Sequence, residues 1–559
     1  MSAAYAPLGQ PEGVYNHGPR KKQDAVWSWV LLAVILATAA GGFLAYTNKS
    51  ETPDASAMAS GAECSAPGFH FADVLAENEQ RYRAKAVRGD KSPPAGLGQS
   101  PADAVTAKTD PTQRFDAKEF TNGAAPWLCV ALFASFFLGL GMLTLFKMCA
   151  HTMVWTVVYV KVGVMASLAV AFLAMGSLVP GIVFTLLTAL TAFCFYLWTD
   201  ELNLVASLLS VSTQGLKDNP HIITTTVGLS FGSLLYIFPA VAAVMWAFEN
   251  GTVAVSHQAV SKTGAQCLDF TGAATDCCAW RVDNWVPFYT TLASVSLIWV
   301  TSACLETRLY VIGGTMCQWY FAPVGTTEFS GLVRGSLRNA LGPSFGTICF
   351  GSFVLTMVEL AKQATERMRR DEDNRGNVLV CLLSSCLECL YAIIEYISKF
   401  ATLQAAMTGA AFCDAASSVT DLLTRNFLAA YGTYAFPGMI LQGTALILAG
   451  GFGVAVWLLS YATFAVQVAA NAGLYAALVG VLAGVVAFVV LMFFVMIMLN
   501  VVDAVFLCYA MDKDSNKIHH QEFHSVFEEV NRKQQGAVVQ NPNGNVMYGN
   551  RTVGTYAAV

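Results

Sequence analysis

Residues Pro287–Phe321 read PFYTTLASVSLIWVTSACLETRLYVIGGTMCQWYF, an almost wholly apolar stretch that carries the ionisable residues Glu306 and Arg308. As an α-helix, at ~1.5 Å per residue, this stretch would be about 50 Å long, which exceeds the ~30 Å hydrocarbon core of a bilayer. Ionisable groups at membrane depth are costly and usually face a protein interior or a water-filled cavity. The stretch therefore predicts a long central membrane helix whose charged residues point into the protein.

One face of this helix collects the residue types that a cation site needs. Trp299, Glu306, Tyr310 and Gly313 recur at steps of seven, four and three residues, so they share one stripe. A carboxylate, two aromatic rings and a position without a side chain can form a site for an organic cation. The alternative is structural: Glu306 pairs with a basic residue, for which Lys161 is the candidate, and the aromatic rings fill space.

The composition is typical of a membrane protein with several spans. Of the 559 residues, 55% are hydrophobic and 12% are charged, whereas ordinary soluble domains carry about 25% charged residues. Several segments exceed ~18 residues with few or no charges, and such long runs predict membrane-spanning helices and exclude a barrel of short alternating strands. The sequence has no basic patch interleaved with aromatic residues, so we do not expect a nucleic-acid partner.

The hydropathy pattern predicts an all-α membrane protein with about ten transmembrane helices and both termini in the cytoplasm. A polar segment rich in Pro and Gly ends in Arg20-Lys21-Lys22, which places the start of the first span on the cytoplasmic side. The predicted organisation is a disordered cytoplasmic tail (1–24), a first span (25–46), a long extracellular loop (47–123), a transmembrane bundle (124–510) and a cytoplasmic tail (511–559).

Within the bundle, an amphipathic segment at 200–220 is predicted to lie on the inner membrane surface. Segment 364–426 leaves two alternatives open, because its apolar runs carry several charges. It forms either an outer loop at 364–378 followed by a returning span, or two segments at the inner face. The other spans of the bundle are predicted at 124–146, 152–175, 178–198, 221–248, 287–321, 344–362, 436–461 and 474–507.

The predicted outer loops carry features of an oxidising, glycosylating compartment. Asn48 and Asn250 each begin an Asn-X-Ser/Thr sequon and are predicted to carry glycans. The loop at 249–284 contains Cys267, Cys277 and Cys278, and we expect a disulfide between Cys267 and one of the adjacent pair. The remaining cysteine either pairs with Cys64 or stays free.

Enzyme signatures are missing from the sequence. It contains no GxxxxGK[ST] phosphate loop, no HExxH motif and no nucleophile elbow, so we expect neither an enzyme nor a bound cofactor. Residues 512–523 resemble an EF-hand loop, but Lys517 occupies the sixth position, where the turn needs Gly, and the Glu falls at the eleventh position. Metal binding is therefore not expected.

Several linked motifs follow one another in the C-terminal two thirds of the chain, at 313–321, 336–346, 386–389, 397–400, 409–413 and 502–509. Taken in order, they resemble the choline transporter-like family, solute carrier family 44. The first outer loop is not rich in cysteine, which is similar to the divergent fungal and protist members.

The resemblance implies ten spans, cytoplasmic termini and a secondary transporter of choline or a choline-like cation such as ethanolamine. It also implies independence from sodium and ATP, exchange against protons, and a plasma-membrane location, with an intracellular organelle membrane as the alternative. The implied partners are a small organic cation and the lipid bilayer. The alternative function is that of a non-transporting membrane scaffold or signalling protein.

A quaternary ammonium cannot donate a hydrogen bond, so its carrier needs aromatic faces. Trp155 and Tyr159 are spaced i,i+4 on the third span and are predicted to complete a cage with Trp299 and Tyr310. Two further candidate residues, Asn500 and Asp503, add polar groups near the inner end of the last span, and Asp503 belongs to a family motif.

Overall fold

The computed structural model describes residues 15–16, 18–49, 117–255, 278–323, 329, 331–370, 378–425, 427–467 and 472–514. Within these ranges the chain forms twelve α-helices and one two-stranded sheet. The helices are α1 (Ala25–Thr47), α2 (Ala117–Ala174), α3 (Leu178–Leu197), α4 (Thr199–Asp218), α5 (His221–Phe248), α6 (Val286–Tyr320), α7 (Leu332–Leu341), α8 (Phe345–Arg370), α9 (Val378–Thr408), α10 (Phe412–Arg425), α11 (Phe427–Gln467) and α12 (Ala472–Asp514). The strands are β1 (Gly251–Val255) and β2 (Cys278–Val282).

Among the described residues, eight helices are long and apolar enough to cross a membrane: α1, α2, α3, α5, α6, α8, α11 and α12. Helix α9 has a comparable length of 31 residues, but Glu388, Glu395 and Lys399 interrupt its apolar surface. The prediction of an all-α membrane protein with several spans is confirmed.

Helix α2 contains two antiparallel halves. Its backbone leaves helical geometry at Cys149, where φ is −145° and ψ is 46°. The first half runs parallel to α12, and the second half runs antiparallel to α3, so the chain reverses at Cys149. This matches the two predicted spans at 124–146 and 152–175. The ring pairs that fix these directions are Phe120 with Tyr475, Phe136 with Phe494, and Phe172 with Phe184.

The two ends of the helical bundle differ. At the hairpin end, β1 and β2 pair antiparallel between α5 and α6, with Gly251 opposite Val282. At the strap end lie α4, α7, α10 and residues 15–16 and 18–24, which we call the strap. The strap was predicted to belong to a disordered tail, but its residues dock against α6, α8 and α9. Hydrogen bonds from side chains and backbone of the strap hold it against the bundle, and the amino-acid composition of the segment did not indicate these bonds.

Helix α4, which was predicted to lie on the inner membrane surface, turns its apolar stripe towards other helices. Its apolar stripe is fully buried, with Leu202, Val205, Leu208 and Leu209 all at 0% exposure, and it packs against α2, α11 and α12. An amphipathic stripe can be covered by lipid or by other helices, and the sequence does not distinguish the two. Here the stripe completes the core.

In the ambiguous segment at 364–426, the end of α8 is followed by α9, which runs antiparallel to it. Helix α8 continues to Arg370, past the predicted end of its span, and α9 begins at Val378. Acidic and basic side chains pair on these helices, between them in two cases and within α8 in the third. The pairs are Lys362 with Glu395, Arg369 with Glu388, and Arg370 with Glu366.

Helix α6 lies at the centre, as its sequence predicts. It packs against α1, α5, α7, α8, α9 and α12, and its residues from Leu309 to Cys317 are all buried. Gly313 lets α9 approach closely, because a Cβ atom at this position would overlap the Leu403 side chain. The close approach places the strap-end half of α6 directly beside α9.

Candidate functional site

Glu306 is buried in the bundle, with 4% of its surface exposed. The Thr402 hydroxyl donates a hydrogen bond to its carboxylate, and Lys399 is the basic residue that interacts with it electrostatically. Its Oε2 atom has no hydrogen-bond partner among the described residues. The proposed pairing with Lys161 is wrong, since Lys161 lies on α2, which packs chiefly against α3, α4, α11 and α12.

Lys399, whose charge acts on Glu306, forms an ion pair with a second carboxylate. Its Nζ atom forms an ion pair with Oδ2 of Asp503, and the two side chains are 26% and 7% exposed. Glu306, Lys399 and Asp503 thus form one charge cluster contributed by α6, α9 and α12. With both carboxylates ionised, the cluster carries one negative charge in excess. Such a charge inside a membrane protein is expensive unless a cation or a proton balances it.

Tyr310 lies one helical turn from Glu306 and contacts a cation. Its hydroxyl donates to Oγ of Ser344 at 2.7 Å and accepts a hydrogen bond from Nη1 of Arg20 in the strap. The guanidinium carbon of Arg20 is 5.9 Å from the centroid of the Tyr310 ring, within the range of a cation–π contact. The predicted cation-binding ring therefore holds a cation, which comes from the chain itself.

Arg20 was interpreted from sequence only as a topological signal, so its role in the site was missed. The strap reaches the site through several anchors. Tyr15 lies on the other side of the Arg20 guanidinium, 5.3 Å from ring centroid to guanidinium carbon. Burial raises the pKa of the Tyr15 hydroxyl to about 12, so the ring is neutral at physiological pH. The remaining anchors are Asn16 N–H to Met407 O (3.0 Å), Asn16 Nδ2 to Thr408 O (3.2 Å), Thr347 Oγ1 to Asp24 Oδ2 (3.2 Å) and Phe412 N–H to Asp24 Oδ2 (3.0 Å).

Trp299 does not line the site. Its indole N–H is shared by the carbonyl oxygen of Cys349 and Oγ of Ser352, both at 3.2 Å. Its ring centroid lies 6.3 Å from that of Trp27 and 5.1 Å from that of Phe353. Eleven residues of helix place Trp299 roughly 16 Å from Tyr310 along the axis. The prediction that it binds a cation together with Tyr310 is wrong. The two residues lie on the same face of the helix, but at different positions along its axis.

Trp155 and Tyr159 do not complete a cage either. Their ring centroids are 5.8 Å apart, but Tyr159 is 67% exposed on the outside of the bundle. The Trp155 indole donates to Oδ1 of Asn203 on α4 at 3.3 Å. Because α2 packs chiefly against helices other than α6, these two rings lie away from the α6 aromatics.

Two of the remaining candidates border the charge cluster. Gly313 permits the contact between α6 and α9 described above. Asn500 is half-buried on α12, three residues before Asp503, and therefore lies on the same face of that helix. Sequence reasoning named Glu306, Tyr310 and Asp503, but it missed Thr402 and the role of Lys399. Lys399 stands in one of the motifs on which the family resemblance rests, which was the available signal.

Asn250 has a structural role that conflicts with the predicted glycosylation. Its Nδ2 atom donates to the carbonyl oxygen of Ala45 at 2.9 Å and to that of Trp246 at 2.8 Å, and the residue is 2% exposed. A glycan would be attached to this same nitrogen, which has no room for it in the folded chain. The geometry therefore argues against a glycan at Asn250.

The other predicted modifications stay predictions. Asn48 is exposed directly after α1, whereas Ser50 of its sequon lies outside the described residues. Cys267 and Cys277 also lie outside them. Cys278 begins β2 opposite Val255, but its side chain is not among the described ones.

Two cavities lie elsewhere. One, of about 460 Å³, is an apolar groove between α11 and α12 that includes Gly453 and Gly480. The other, of about 660 Å³, lies at the strap end and is bordered by Asp218, His221 and Arg334. Neither of these two cavities is lined by Glu306 or Tyr310, whose surroundings are filled by α9, α12 and the strap.

Residues 182–514 match the family model described as plasma-membrane choline transporter. The chain is 23% identical over 258 residues to a CTL-like protein of Dictyostelium discoideum, 24% identical over 287 residues to Protein PNS1 of Gibberella zeae, and 25% identical over 231 residues to choline transporter-like protein 1 of Torpedo marmorata. These matches cover 46%, 51% and 40% of this chain. They span only 41%, 50% and 34% of the three relatives, about half of their length or less.

Proposed function

The chain belongs to the plasma-membrane choline transporter family, and on that premise we propose that it is a secondary transporter of choline or a choline-like organic cation. Ethanolamine belongs to the same class of substrate. Transport is independent of sodium and proceeds in exchange for protons. The relatives named choline transporter-like support this assignment by similarity.

The observation that carries the proposal is the buried carboxylate of Glu306. Lys399, the basic residue that acts on it electrostatically, is ion-paired with Asp503, and Oε2 of Glu306 has no hydrogen-bond partner within the described part of the chain. An organic cation and a proton can each neutralise the same carboxylate, and they exclude one another. A carrier whose central carboxylate binds either a cation or a proton exchanges the two across the membrane.

The topology proposed with this function has ten spans, with the strap end in the cytoplasm and the hairpin end outside. Counting α2 twice and including α9 gives ten crossings, an even number that places both termini on one side. Basic residues favour the cytoplasmic face. Those near the strap end are Arg20, Lys21, Lys22, Lys147, Lys217, Arg334, Arg338 and Lys513.

The same orientation places the loop after β1 outside the cell or in an organelle lumen. We keep the proposal that Cys267, Cys277 and Cys278 form at least one disulfide there. The family description favours the plasma membrane over an organelle membrane. Quantitative labelling of all three cysteines as free thiols in unreduced cells would contradict the disulfide.

The direct test is uptake of radiolabelled choline by purified protein in liposomes, with and without a proton gradient. Liposomes that contain the wild-type chain should accumulate external choline when their interior is more acidic than the outside solution. Unlabelled ethanolamine should compete with this uptake. Glu306→Gln should abolish most uptake and remove its dependence on the proton gradient, because the exchanging carboxylate is lost.

Glu388→Gln is the matched control, since it makes the same substitution at a side chain that is 59% exposed. This control should transport like the wild type. Equal uptake by the Glu306→Gln and Glu388→Gln variants would overturn the assignment of Glu306. Absence of uptake of any tested amine by well-folded wild-type protein would favour a non-transporting scaffold.

A further inference from the structure

The Arg20 guanidinium occupies a pocket whose walls suit a cation. Among the described residues, this pocket contains no carboxylate that pairs with the guanidinium. Its Nη2 atom donates to the carbonyl oxygen of Ala406 at 2.7 Å and, at the limit of 3.5 Å, to that of Met407, while Nη1 lies 3.5 Å from the carbonyl oxygen of Ala405. The Tyr310 ring flanks the same group. Within the described residues, the positive charge is therefore held by backbone dipoles and an aromatic face.

These carbonyl groups are the last ones of α9. The final carbonyls of a helix lack intrahelical partners and lie at the negative end of the helix dipole, which attracts cations. Gly409 follows the helix with φ of 73°, and a Cβ atom there would lie 3.3 Å from the Arg20 side chain. A glycine at this position both ends the helix and leaves space beside its carbonyl groups.

The fit of Arg20 in this pocket is incomplete. Its Nε atom is buried and has no hydrogen-bond partner among the described residues, which is costly for a charged donor. A quaternary ammonium has no N–H group that needs a partner, and its methyl groups suit an aromatic face. Tyr15 belongs to the strap and would leave with it. The walls that remain are Tyr310, Ser344 and the end of α9.

The pocket also neighbours the charge cluster. Tyr310 and Glu306 are four residues apart on α6, so their side chains neighbour one another on one face. A cation released from Glu306 towards the strap end meets the Tyr310 ring next. In the described structure this step is blocked, because Arg20 already occupies the ring and the carbonyl oxygens.

We propose that the Arg20 pocket is a second binding site for the organic cation, at the strap end, and that Arg20 is a tethered occupant which the cation displaces. This proposal rests on the transport function proposed above. The strap then competes with the transported cation, and between transport cycles it closes the path from Glu306 to the strap end. The alternative role is a permanent cap of α9, which no cation displaces.

The test measures binding of radiolabelled choline to the purified full-length chain in detergent. Arg20→Ala removes the competitor, so the apparent Kd for choline should fall about tenfold if the strap is docked about nine-tenths of the time. Lys21→Ala is the matched control, since it removes a neighbouring positive charge that is exposed. This control should bind choline like the wild type.

A second readout does not depend on choline. Cys317 lies seven residues after Tyr310 on the same face and is 0% exposed, in the core cluster against which Tyr15 packs. Arg20→Ala should increase the alkylation rate of Cys317, followed by mass spectrometry, and Lys21→Ala should not. Arg20→Gln keeps hydrogen-bond donors for the α9 carbonyl oxygens and serves as a milder variant.

The outcomes separate the two proposals. Tighter choline binding and faster Cys317 alkylation in Arg20→Ala support the second site. Unchanged values in well-folded Arg20→Ala overturn it and leave the Glu306 assignment intact. Failure of both Arg20→Ala and Arg20→Gln to fold shows a permanent cap and also overturns it. If the wild type and every variant fail to bind choline, the proposed function fails together with the second site.

Discussion

The two halves of the bundle are held together by different chemistry. Near the hairpin end, the buried contacts are neutral: the Trp299 indole donates to Cys349 and Ser352, and the Tyr289 hydroxyl donates to the carbonyl oxygen of Thr38 at 2.9 Å. The ion pairs towards that end, Arg369 with Glu388 and Arg370 with Glu366, have exposed side chains. Near the strap end, the contacts involve charges, with Lys399 paired to Asp503 and Arg20 bound to the end of α9.

This difference separates a static half from a half that can change. A neutral hydrogen bond inside a bundle is satisfied in one arrangement and has no competitor among cations. A charged group, in contrast, can be exchanged for another group of the same charge. We therefore attribute stability to the hairpin half and ligand response to the strap half, and the following substitutions test this division.

The largest effect is expected for Trp299→Ala, which empties a buried ring site in the static half. Loss of the indole should lower the free energy of unfolding by about 3–5 kcal/mol. Choline affinity of the protein that remains folded should be unchanged. Detergent-induced unfolding and choline binding, measured on one preparation, test both statements. A large loss of affinity at normal stability would return Trp299 to the binding site.

Lys399→Met should have the next largest effect, because it leaves two buried carboxylates without their shared ammonium group. Removing one partner of a buried pair costs about 3–5 kcal/mol, and partial exposure of Lys399 reduces the expected loss to about 2–3 kcal/mol. Adding Asp503→Asn should restore much of the folded yield. A double variant no more stable than the single one would contradict the charge cluster.

Asn250→Ala removes two hydrogen bonds near the hairpin end, one to α1 and one to the end of α5. Each bond contributes about 0.5–1.5 kcal/mol, so a total loss of about 1–3 kcal/mol is expected. Electrophoretic mobility before and after enzymatic deglycosylation supplies the second measurement. The wild type and the variant should respond alike, whereas a glycan lost only in Asn250→Ala would restore the original glycosylation prediction.

Lys362→Met should have the smallest effect on stability, and it serves as the control for Lys399→Met. The pair between Lys362 and Glu395 is 33% and 39% exposed, and exposed pairs contribute about 0–1 kcal/mol. Folded yield and choline uptake should both stay near the wild-type values. A loss as large as that of Lys399→Met would remove the distinction between buried and exposed pairs.

The sequence predicted those features that depend on a single helix. Length and hydropathy located the spans, and helical spacing placed Glu306 and Tyr310 on one buried face of α6. Which helix lies opposite that face depends on packing between residues far apart in the chain, such as Gly313 and Leu403. The partner of Glu306 was therefore sought on α2, although the structure provides Lys399 on α9.

The aromatic predictions failed for a related reason. Aromatic rings serve as core, as interfacial anchors or as binding surfaces, and the residue type is the same in each case. Trp299 and Tyr310 differ only in which residues other helices bring to them. Arg20 was missed because its contact with Tyr310 spans 290 residues of chain, and no local pattern indicates such a contact.

The strap also sets an order in time. Asp24 binds the backbone of Phe412, which follows it by 388 residues. At a synthesis rate of about 5–20 residues per second, the first anchor waits roughly 20–80 s for its partner to be made. Until α9 and the first residue of α10 have been made, the strap end of the nascent bundle therefore lacks its closure, and α11 and α12 are made only after the strap can dock.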